Sequence, residues 1–202
     1  MSDVETGHTE DETLADEMPT WDDEYLEAVS RRLVYNYDLE KDFRVDGERF
    51  SMYGKMEIHN QKQFLHPSIS FAHHVSYEHL FVRRVERLTE RDLHRLVELG
   101  HSLADDWIDP SEEHYSTEFT FVSVVDEIPD EVRPMVNRLD ERTLLKFGYN
   151  GHYEVNLVVV APEKEECIAN EAADIEEAFR TWQDIEREEP GLLRVLVRRF
   201  QQ

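Results

Sequence analysis

Apolar side chains recur with two different periods along this chain, and each period predicts a different element. Over residues 21–40 they return every three or four positions, which predicts an amphipathic helix that begins with a capping box at Thr20. Over residues 50–58 they alternate with polar side chains, which predicts a half-buried strand. Asp46-Gly47, just before that strand, is typical of a tight turn.

A stretch in the first half of the chain, residues 69–85, is similar to a later stretch, residues 145–161. When Tyr77 is aligned with Tyr153, both stretches continue with Glu and then with apolar residues. Each is followed by a helical pattern that reaches a tryptophan, which is Trp107 in the first case and Trp182 in the second. The pattern indicates an internal duplication of a β-hairpin–helix unit.

Turn signals divide both stretches. Asn150-Gly151 predicts a type I′ hairpin turn in the later stretch, since both central residues of that turn need positive φ. The earlier stretch is too long for one ordinary strand, so we expect a break between His73 and Ser76. Residues 153–161 carry apolar side chains on both faces, which predicts a central position in the sheet.

The remaining pattern completes an α+β domain. It predicts a helix with a capping box at Thr89, a strand over 119–125, a short helix over 130–139, a helix over 169–188 and a last strand over 192–200. The sum is an antiparallel sheet of about six or seven strands with helices packed on one face. We expect one such domain over residues 20–202, preceded by a disordered acidic tail over residues 1–19.

The charge of this chain has two interpretations, a salt-adapted protein or an ordinary acidic protein with a disordered acidic tail, and the first is favoured. It has 46 acidic and 22 basic residues and a formal net charge of −24, and only five of the basic residues are lysine. The first 24 residues hold ten acids and no Lys or Arg, so −14 remains on the rest. This composition resembles that of proteins from salt-accumulating archaea. Such acidity is tolerated in molar salt, because the Debye length there is about 3 Å and the repulsion between carboxylates is screened. We expect the fold to depend on salt.

Targeting signals and cysteine usage bear on the compartment. No apolar stretch is long enough to span a membrane, and the N-terminus has no signal-peptide pattern. The single cysteine, Cys167, fits a reducing compartment, and its carboxylate neighbours disfavour a thiolate nucleophile. These features predict a cytoplasmic protein in which Cys167 is a packing residue.

Catalytic and cofactor motifs are absent from the sequence: it has no phosphate-binding glycine loop, HExxH, CxxC, GxSxG or dinucleotide fingerprint. Histidine is over-used, and five of the ten lie within 21 residues, at His59, His66, His73, His74 and His79. Adjacent residues of a strand point to opposite faces, so this spacing is poor for a metal. We predict no metal and no cofactor. A hydrolase or metal enzyme that uses the region of His73, His74 and His79 with Glu57 or Glu78 remains the alternative.

The recurring Tyr-Glu pairs have two interpretations. In one, Glu78 and Glu154 face each other across a pseudo-twofold axis and act as acid and base. In the simpler one, Tyr77 and Tyr153 pack on the core while the two glutamates face water.

Arginine is concentrated in one place: five arginines occur within 13 residues, from Arg83 to Arg95. Guanidinium groups keep bidentate, directional recognition of carboxylate or phosphate when long-range attraction is screened. We therefore predict that an anionic ligand or a protein partner docks at this surface; the alternative is that the arginines neutralise the protein's own acids. The residues of the predicted site are Arg83, Arg84, Arg91 and Arg95.

Composition and motifs together favour a non-enzymatic binding or interaction module over an enzyme. The negative field of the chain disfavours nucleic acid, although molar salt screens that field and charge alone does not exclude it. One observation separates a binding module from an enzyme: whether the histidine and glutamate side chains converge around a concave pocket.

Overall fold

The structure is a computed structural model that describes residues 19–61, 73–173 and 175–183. Residues 1–18 of the tail predicted over 1–19, and the strand predicted over 192–200, lie outside the described residues. The predicted hairpin arm over residues 69–72 also lies outside them.

Four α-helices and seven β-strands are formed by the described residues. The helices are α1 (Glu24–Leu33), α2 (Glu90–Trp107), α3 (Arg133–Arg138) and α4 (Glu176–Phe179). The strands are β1 (Asp38–Val45), β2 (Glu48–Gln61), β3 (His73–Arg84), β4 (His114–Val124), β5 (Glu141–Leu144), β6 (His152–Ala161) and β7 (Glu166–Ala169).

The described strands form one mixed sheet in the order β1-β2-β3-β4-β6-β5, and β7 pairs with β6 on the same side as β5. The pairs β3–β4 and β4–β6 are parallel and the others are antiparallel. The predicted α+β class and the strand number are confirmed. The prediction of a purely antiparallel sheet is wrong at the centre, because α2 carries the chain back from the end of β3 to the start of β4.

Helices cover both faces of the sheet, whereas the sequence pattern predicted that they pack on one face. On the α2 face, α2 packs through residues such as Leu96 against side chains such as Phe81. On the α1 face, Val29 of α1 and Phe179 of α4 share a second core with Leu80. Leu80 and Phe81 are neighbours in β3, so the alternation of side chains along a strand separates the two cores.

The apolar character of β6 follows from this two-sided packing. Leu157 and Val159 belong to the core on the α2 face, while Val158 and Val160 belong to the core on the α1 face. β6 lies between β4 on one side and β5 with β7 on the other, so it is an internal strand as expected, but it is next to the edge of the sheet and not at its centre.

A helix begins near each predicted capping box, but only one of the two capping residues was predicted correctly. The capping box at Thr89 is present and opens α2 as predicted. In α1 the cap is Asp23 instead of Thr20, and its carboxylate accepts two backbone N–H groups at 3.0 and 3.2 Å. The helix predicted over 21–40 is too long, because it ends at Leu33 and the chain enters β1 at Asp38.

The two predicted tight turns have different outcomes. Asp46 and Gly47 join β1 to β2 with φ values of 48° and 82°, so the predicted turn is confirmed. Asn150-Gly151 does not form a two-residue turn. Instead β5 and β6 are joined by residues 145–151, and Gly151 closes that longer loop with φ 74°.

The two similar stretches occupy matching positions on either side of β4, but different elements follow them in the chain. Tyr77 of β3 and Tyr153 of β6 both pair with Thr117 of β4, one from each side. β3 runs without a break through residues 73–76 and leads into α2, whereas β6 leads into β7. The tryptophans Trp107 and Trp182 pack in different places, on the α2 face and the α1 face respectively. The duplication therefore stays a prediction.

Candidate functional site

A pocket of about 560 Å³ opens on the α2 face, where β3 and β4 begin and α2 ends. Side chains from three strands and from the α2–β4 connection meet there. The lining residues are Tyr53, Lys55, Val75, Tyr77, His79, Trp107, Ile108, Asp109, Ser111, Glu113, His114 and Thr117.

An irregularity in β4 turns His114 into the pocket. Val75 pairs with His114, but the next residue of β3 pairs with Ser116, so β4 carries one extra residue, Tyr115. The His114 ring contacts the carbonyl oxygen of Asn150 through Nδ1 at 2.7 Å, and the Thr117 hydroxyl through Nε2 at 2.8 Å. Because a carbonyl only accepts, Nδ1 donates to it, and the Thr117 hydroxyl is the hydrogen-bond partner of Nε2.

The β5–β6 loop fits tightly against this irregular strand. A Cβ atom at Gly151 would lie 2.0 Å from the carbonyl oxygen of Tyr115, so only glycine fits there. Asn150 is buried, and its Nδ2 donates to the carbonyl oxygen of Pro110 at 2.5 Å. The loop therefore holds both the start of β4 and the connection that leads to it from α2.

His79 forms the floor of the pocket. Its ring stacks on Phe119 at a centroid distance of 5.3 Å, and Trp107 meets it edge-on at 5.0 Å. Its Nδ1 lies 2.7 Å from the Tyr53 hydroxyl. Burial, with help from the Lys55 ammonium, lowers the pKa of His79 to about 4, so the ring is neutral at ordinary pH.

Tyrosine, tryptophan and lysine form the walls. Burial raises the pKa of Tyr53 to about 12, with a smaller contribution from Glu40, so this hydroxyl keeps its proton. The Lys55 ammonium lies 5.7 Å from the centroid of the Tyr77 ring, within range of a cation–π contact. Trp107 ends α2 over the pocket and keeps 38% of its surface exposed. The pocket is therefore aromatic, and its His79 ring and Tyr53 hydroxyl are both uncharged at ordinary pH.

The rim of the pocket is acidic. Asp109 and Glu113 line it and are exposed, and Asp105 and Asp106 stand in the last turn of α2, which has no basic residue. The carboxyl end of a helix carries partial negative charge, so these carboxylates add to the negative potential there. No described residue forms an ion pair with any of these four carboxylates.

Of the histidines that the enzyme alternative needs, His74 and His79 do not come together, and the side chain of His73 lies outside the described part of the structure. His79 faces the pocket, whereas His74 contacts Tyr115, which in turn contacts His152 away from the pocket. Glu57, near Tyr77, is not hydrogen-bonded to His79 but pairs with His59 at 3.0 Å. Among the described residues, no group of three His, Cys, Asp or Glu side chains is placed to hold a metal ion.

The two glutamates of the Tyr-Glu pairs do not face each other. Glu78 and Glu154 both pair with Glu118 of β4, so a full strand separates them by about 10 Å. The Tyr37 hydroxyl donates to Glu78 at 2.5 Å, and Glu154 is buried with Arg142 at 3.5 Å. The simpler interpretation is right for the buried Tyr153 but wrong for Glu154, which does not face water.

The predicted arginine site lies at the opposite end of α2, and the structure divides it. Arg83 donates to Glu48 at 2.8 Å on the α2 side, and Arg95 lies 3.7 Å from the same carboxylate. Arg84 contacts Asp23, the cap of α1, at 2.6 and 3.2 Å. Arg91 is exposed. Arg84 therefore lies apart from Arg83 and Arg95, as opposite faces of one strand require.

Most residues that line the pocket were not predicted from the sequence. Lys55 and His79 could have been predicted from strand alternation. Lys55 lies two residues after Tyr53, and His79 two residues after Tyr77, so each pair shares one face of its strand. No sequence pattern brings His114 and Asn150 together at the pocket. Their positions depend on the extra residue in β4 and on the seven-residue loop between β5 and β6.

The fold and the pocket define an α+β domain that carries an aromatic pocket with an acidic rim at one end of a mixed sheet. The chain belongs to the family described as a domain of unknown function (DUF8052), which matches residues 22–181. No curated protein and no solved structure matches the chain. None of the helices in the described part of the chain is long and apolar enough to cross a membrane.

Proposed function

We propose that this chain is a non-enzymatic binding module of a salt-adapted cytoplasm, and that the aromatic pocket is its ligand site. The protonation states of the floor carry the proposal. A neutral His79 and a Tyr53 hydroxyl that keeps its proton donate and accept hydrogen bonds, but neither has a pKa near neutrality, which an efficient acid or base needs. A concave aromatic site with a few fixed polar groups is typical of ligand binding.

A hydrolase is the competing function, and one arrangement favours it. Thr117, His114 and the carbonyl of Asn150 are linked in the order of a nucleophile, a base and a group that orients the base. However, Thr117 keeps only 2% of its surface exposed, so a substrate carbon reaches its hydroxyl only if β4 moves. The same hydrogen bonds are explained by their role in holding β4 against the β5–β6 loop.

The arginine surface remains a second binding proposal, for a protein partner or an anionic ligand. Arg91 and Arg95 are exposed, whereas Arg83 and Arg84 bind carboxylates of the chain itself. A pull-down from a high-salt lysate with the native chain and with Arg91→Glu/Arg95→Glu tests this surface. We expect the double variant to lose a partner. Equal recovery of every partner with unchanged folding would leave these arginines as internal charge compensation.

Equilibrium dialysis in molar KCl tests the pocket. The native chain is dialysed against a small-molecule extract of salt-grown cells, and the retained compounds are identified by mass spectrometry. We expect at least one compound to be retained by the native chain and lost from Trp107→Ala, because Trp107 covers the floor of the pocket. Tyr35→Ala is the matched control, since Tyr35 is an exposed aromatic residue outside the pocket. Retention that is unaffected by Trp107→Ala would contradict the proposal.

A further inference from the structure

We infer that the pocket binds an organic cation, such as an alkylammonium group, between its aromatic walls and its acidic rim. This inference rests on the proposed binding function and names the chemical class of the ligand. Weakly hydrated organic cations gain energy from the negative faces of Trp and Tyr rings, and desolvation strengthens that attraction. Trp107, Tyr53 and Tyr77 all line this space. One face of the Tyr53 ring is stacked on Phe43, so Trp107 and Tyr77 are the main aromatic contacts for a cation.

Lys55 shows that this space accommodates an ammonium group. Its Nζ lies 5.7 Å from the centre of the Tyr77 ring, so the chain already places a cation against one wall. The backbone of Lys55 pairs directly with that of His79 in the neighbouring strand, which directs both side chains to the α2 face. The ammonium of Lys55 therefore occupies part of the ligand's place and competes with it.

The charges around the pocket favour a cation over an anion. Two carboxylates, Asp109 and Glu113, line the pocket against the single positive charge of Lys55. The carboxyl end of α2 adds partial negative charge beside Trp107. Since His79 is neutral, it does not offset this imbalance. A phosphate or other multiply charged anion would meet net repulsion at the rim.

High salt does not remove this selectivity. Potassium ions screen the rim carboxylates, but a strongly hydrated inorganic ion gains little from an apolar ring. An alkylammonium ion loses little hydration when it enters, and it contacts the rings over its whole surface. The aromatic contribution therefore survives at salt concentrations that abolish long-range steering.

Choline and its uncharged isostere, 3,3-dimethyl-1-butanol, separate charge from shape. Binding of both is measured by equilibrium dialysis in molar KCl against the native chain. We expect choline to bind about tenfold more tightly than the isostere. Equal binding of the two would overturn the cation inference while leaving a ligand pocket. If neither binds, and dialysis against the cell extract also retains nothing, both the inference and the proposed function fail.

Lys55→Met gives a test that a folding defect does not imitate, because it predicts a gain. Removing the competing ammonium should tighten choline binding about threefold or more, whereas the matched variant Lys164→Met, on a distant turn, should leave it unchanged. Weaker choline binding in Lys55→Met would overturn the inference, since Lys55 would then hold the ligand.

A short peptide that contains trimethyllysine identifies the source of the cation. If it displaces choline more strongly than free tetramethylammonium does, the natural ligand is a side chain of a partner. Weaker displacement by the peptide assigns the site to a free metabolite. Both results support the same ammonium chemistry, and failure of both competitors to displace choline would contradict it.

Discussion

The two ends of α2 differ in whether the charged side chains around them form ion pairs. At its amino end, Arg83 and Arg84 bind Glu48 and Asp23, so positive and negative groups cancel within the chain. At its carboxyl end, about 25 Å away, Asp109 and Glu113 line an aromatic pocket, Asp105 and Asp106 lie in the last helical turn, and no described residue forms an ion pair with these four carboxylates. The contrast supports the proposal that the amino end stabilises the fold and the carboxyl end binds a ligand.

The contrast also explains how an acidic chain keeps some of its arginines. A guanidinium that joins β3 to α1 or to β2 stabilises the fold directly, which gives these arginines a structural role in a chain where lysine is scarce. Carboxylates at the carboxyl end of a helix oppose the helix dipole and cost stability. Such an arrangement is expected where binding, and not folding, determines the residues.

Loss of salt should have the largest effect on this comparison. When KCl is lowered from molar to tens of millimolar, circular dichroism should show unfolding, because repulsion within the acidic chain is no longer screened. Hydrogen exchange should increase first around Asp105 and Asp109, where carboxylates are concentrated, and last near Arg84. A chain that begins at Thr20 and stays fully folded in low salt would contradict salt adaptation.

Gly151→Ala tests how the pocket end is built. The new Cβ would collide with the carbonyl of Tyr115 and would also strain a backbone with φ 74°, so we expect a loss of about 3 kcal/mol or more in the free energy of unfolding. Gly148→Ala is the matched control, since its φ is 90° but its Cβ would meet no atom within 4 Å. It should cost about 1 kcal/mol. Equal losses in urea unfolding would show that the contact with β4 is unimportant.

The pH dependence of stability should also distinguish the two ends. Folded His79 stays neutral down to about pH 4, whereas in the unfolded chain it binds a proton near pH 6.5. Its contribution is therefore present above pH 6.5 and is lost as the pH falls to about 4, by on the order of 3 kcal/mol. Urea unfolding at several pH values should show this loss in the native chain and in His94→Phe, whose histidine is exposed. His79→Phe should remove it, and an unchanged profile in that variant would contradict the assignment.

Single arginine substitutions should have the smallest effects. Arg83→Met should lower the free energy of unfolding by about 1 to 2 kcal/mol, because its partner Glu48 would be left partly buried without its closest cation. Arg91→Met should change it by less than about 0.5 kcal/mol, since this residue is exposed. A comparable loss in both variants would remove the distinction between structural and exposed arginines.

Local patterns in the sequence predicted elements well where neighbours in the chain decide the outcome. Thr89 and Asp92 satisfy each other across one helical turn, and Asp46-Gly47 adopts the positive φ values that its composition favours. The parallel centre of the sheet and its two helical layers could not be read in the same way. They depend on where α2 returns the chain, and periodicity does not record that.

The candidate site was predicted less well for a related reason. Arginine clusters are visible in a sequence, but their partners Glu48 and Asp23 are 35 and 61 residues away in the chain. Conversely, the pocket gathers residues from Tyr53 to Thr117 that form no motif. A shift of register by one residue in β4 aims His114 into that space.

The indole N–H signals of the three tryptophans test the central claim most directly, because one tryptophan covers the pocket and two lie elsewhere. Choline is added to the ¹⁵N-labelled native chain in molar KCl, and the three indole resonances are followed by NMR. We predict a saturable shift of the Trp107 signal, while the signals of Trp21 and Trp182 stay in place. An unmoved Trp107 signal, or equal shifts of all three, would contradict a ligand site at the end of α2.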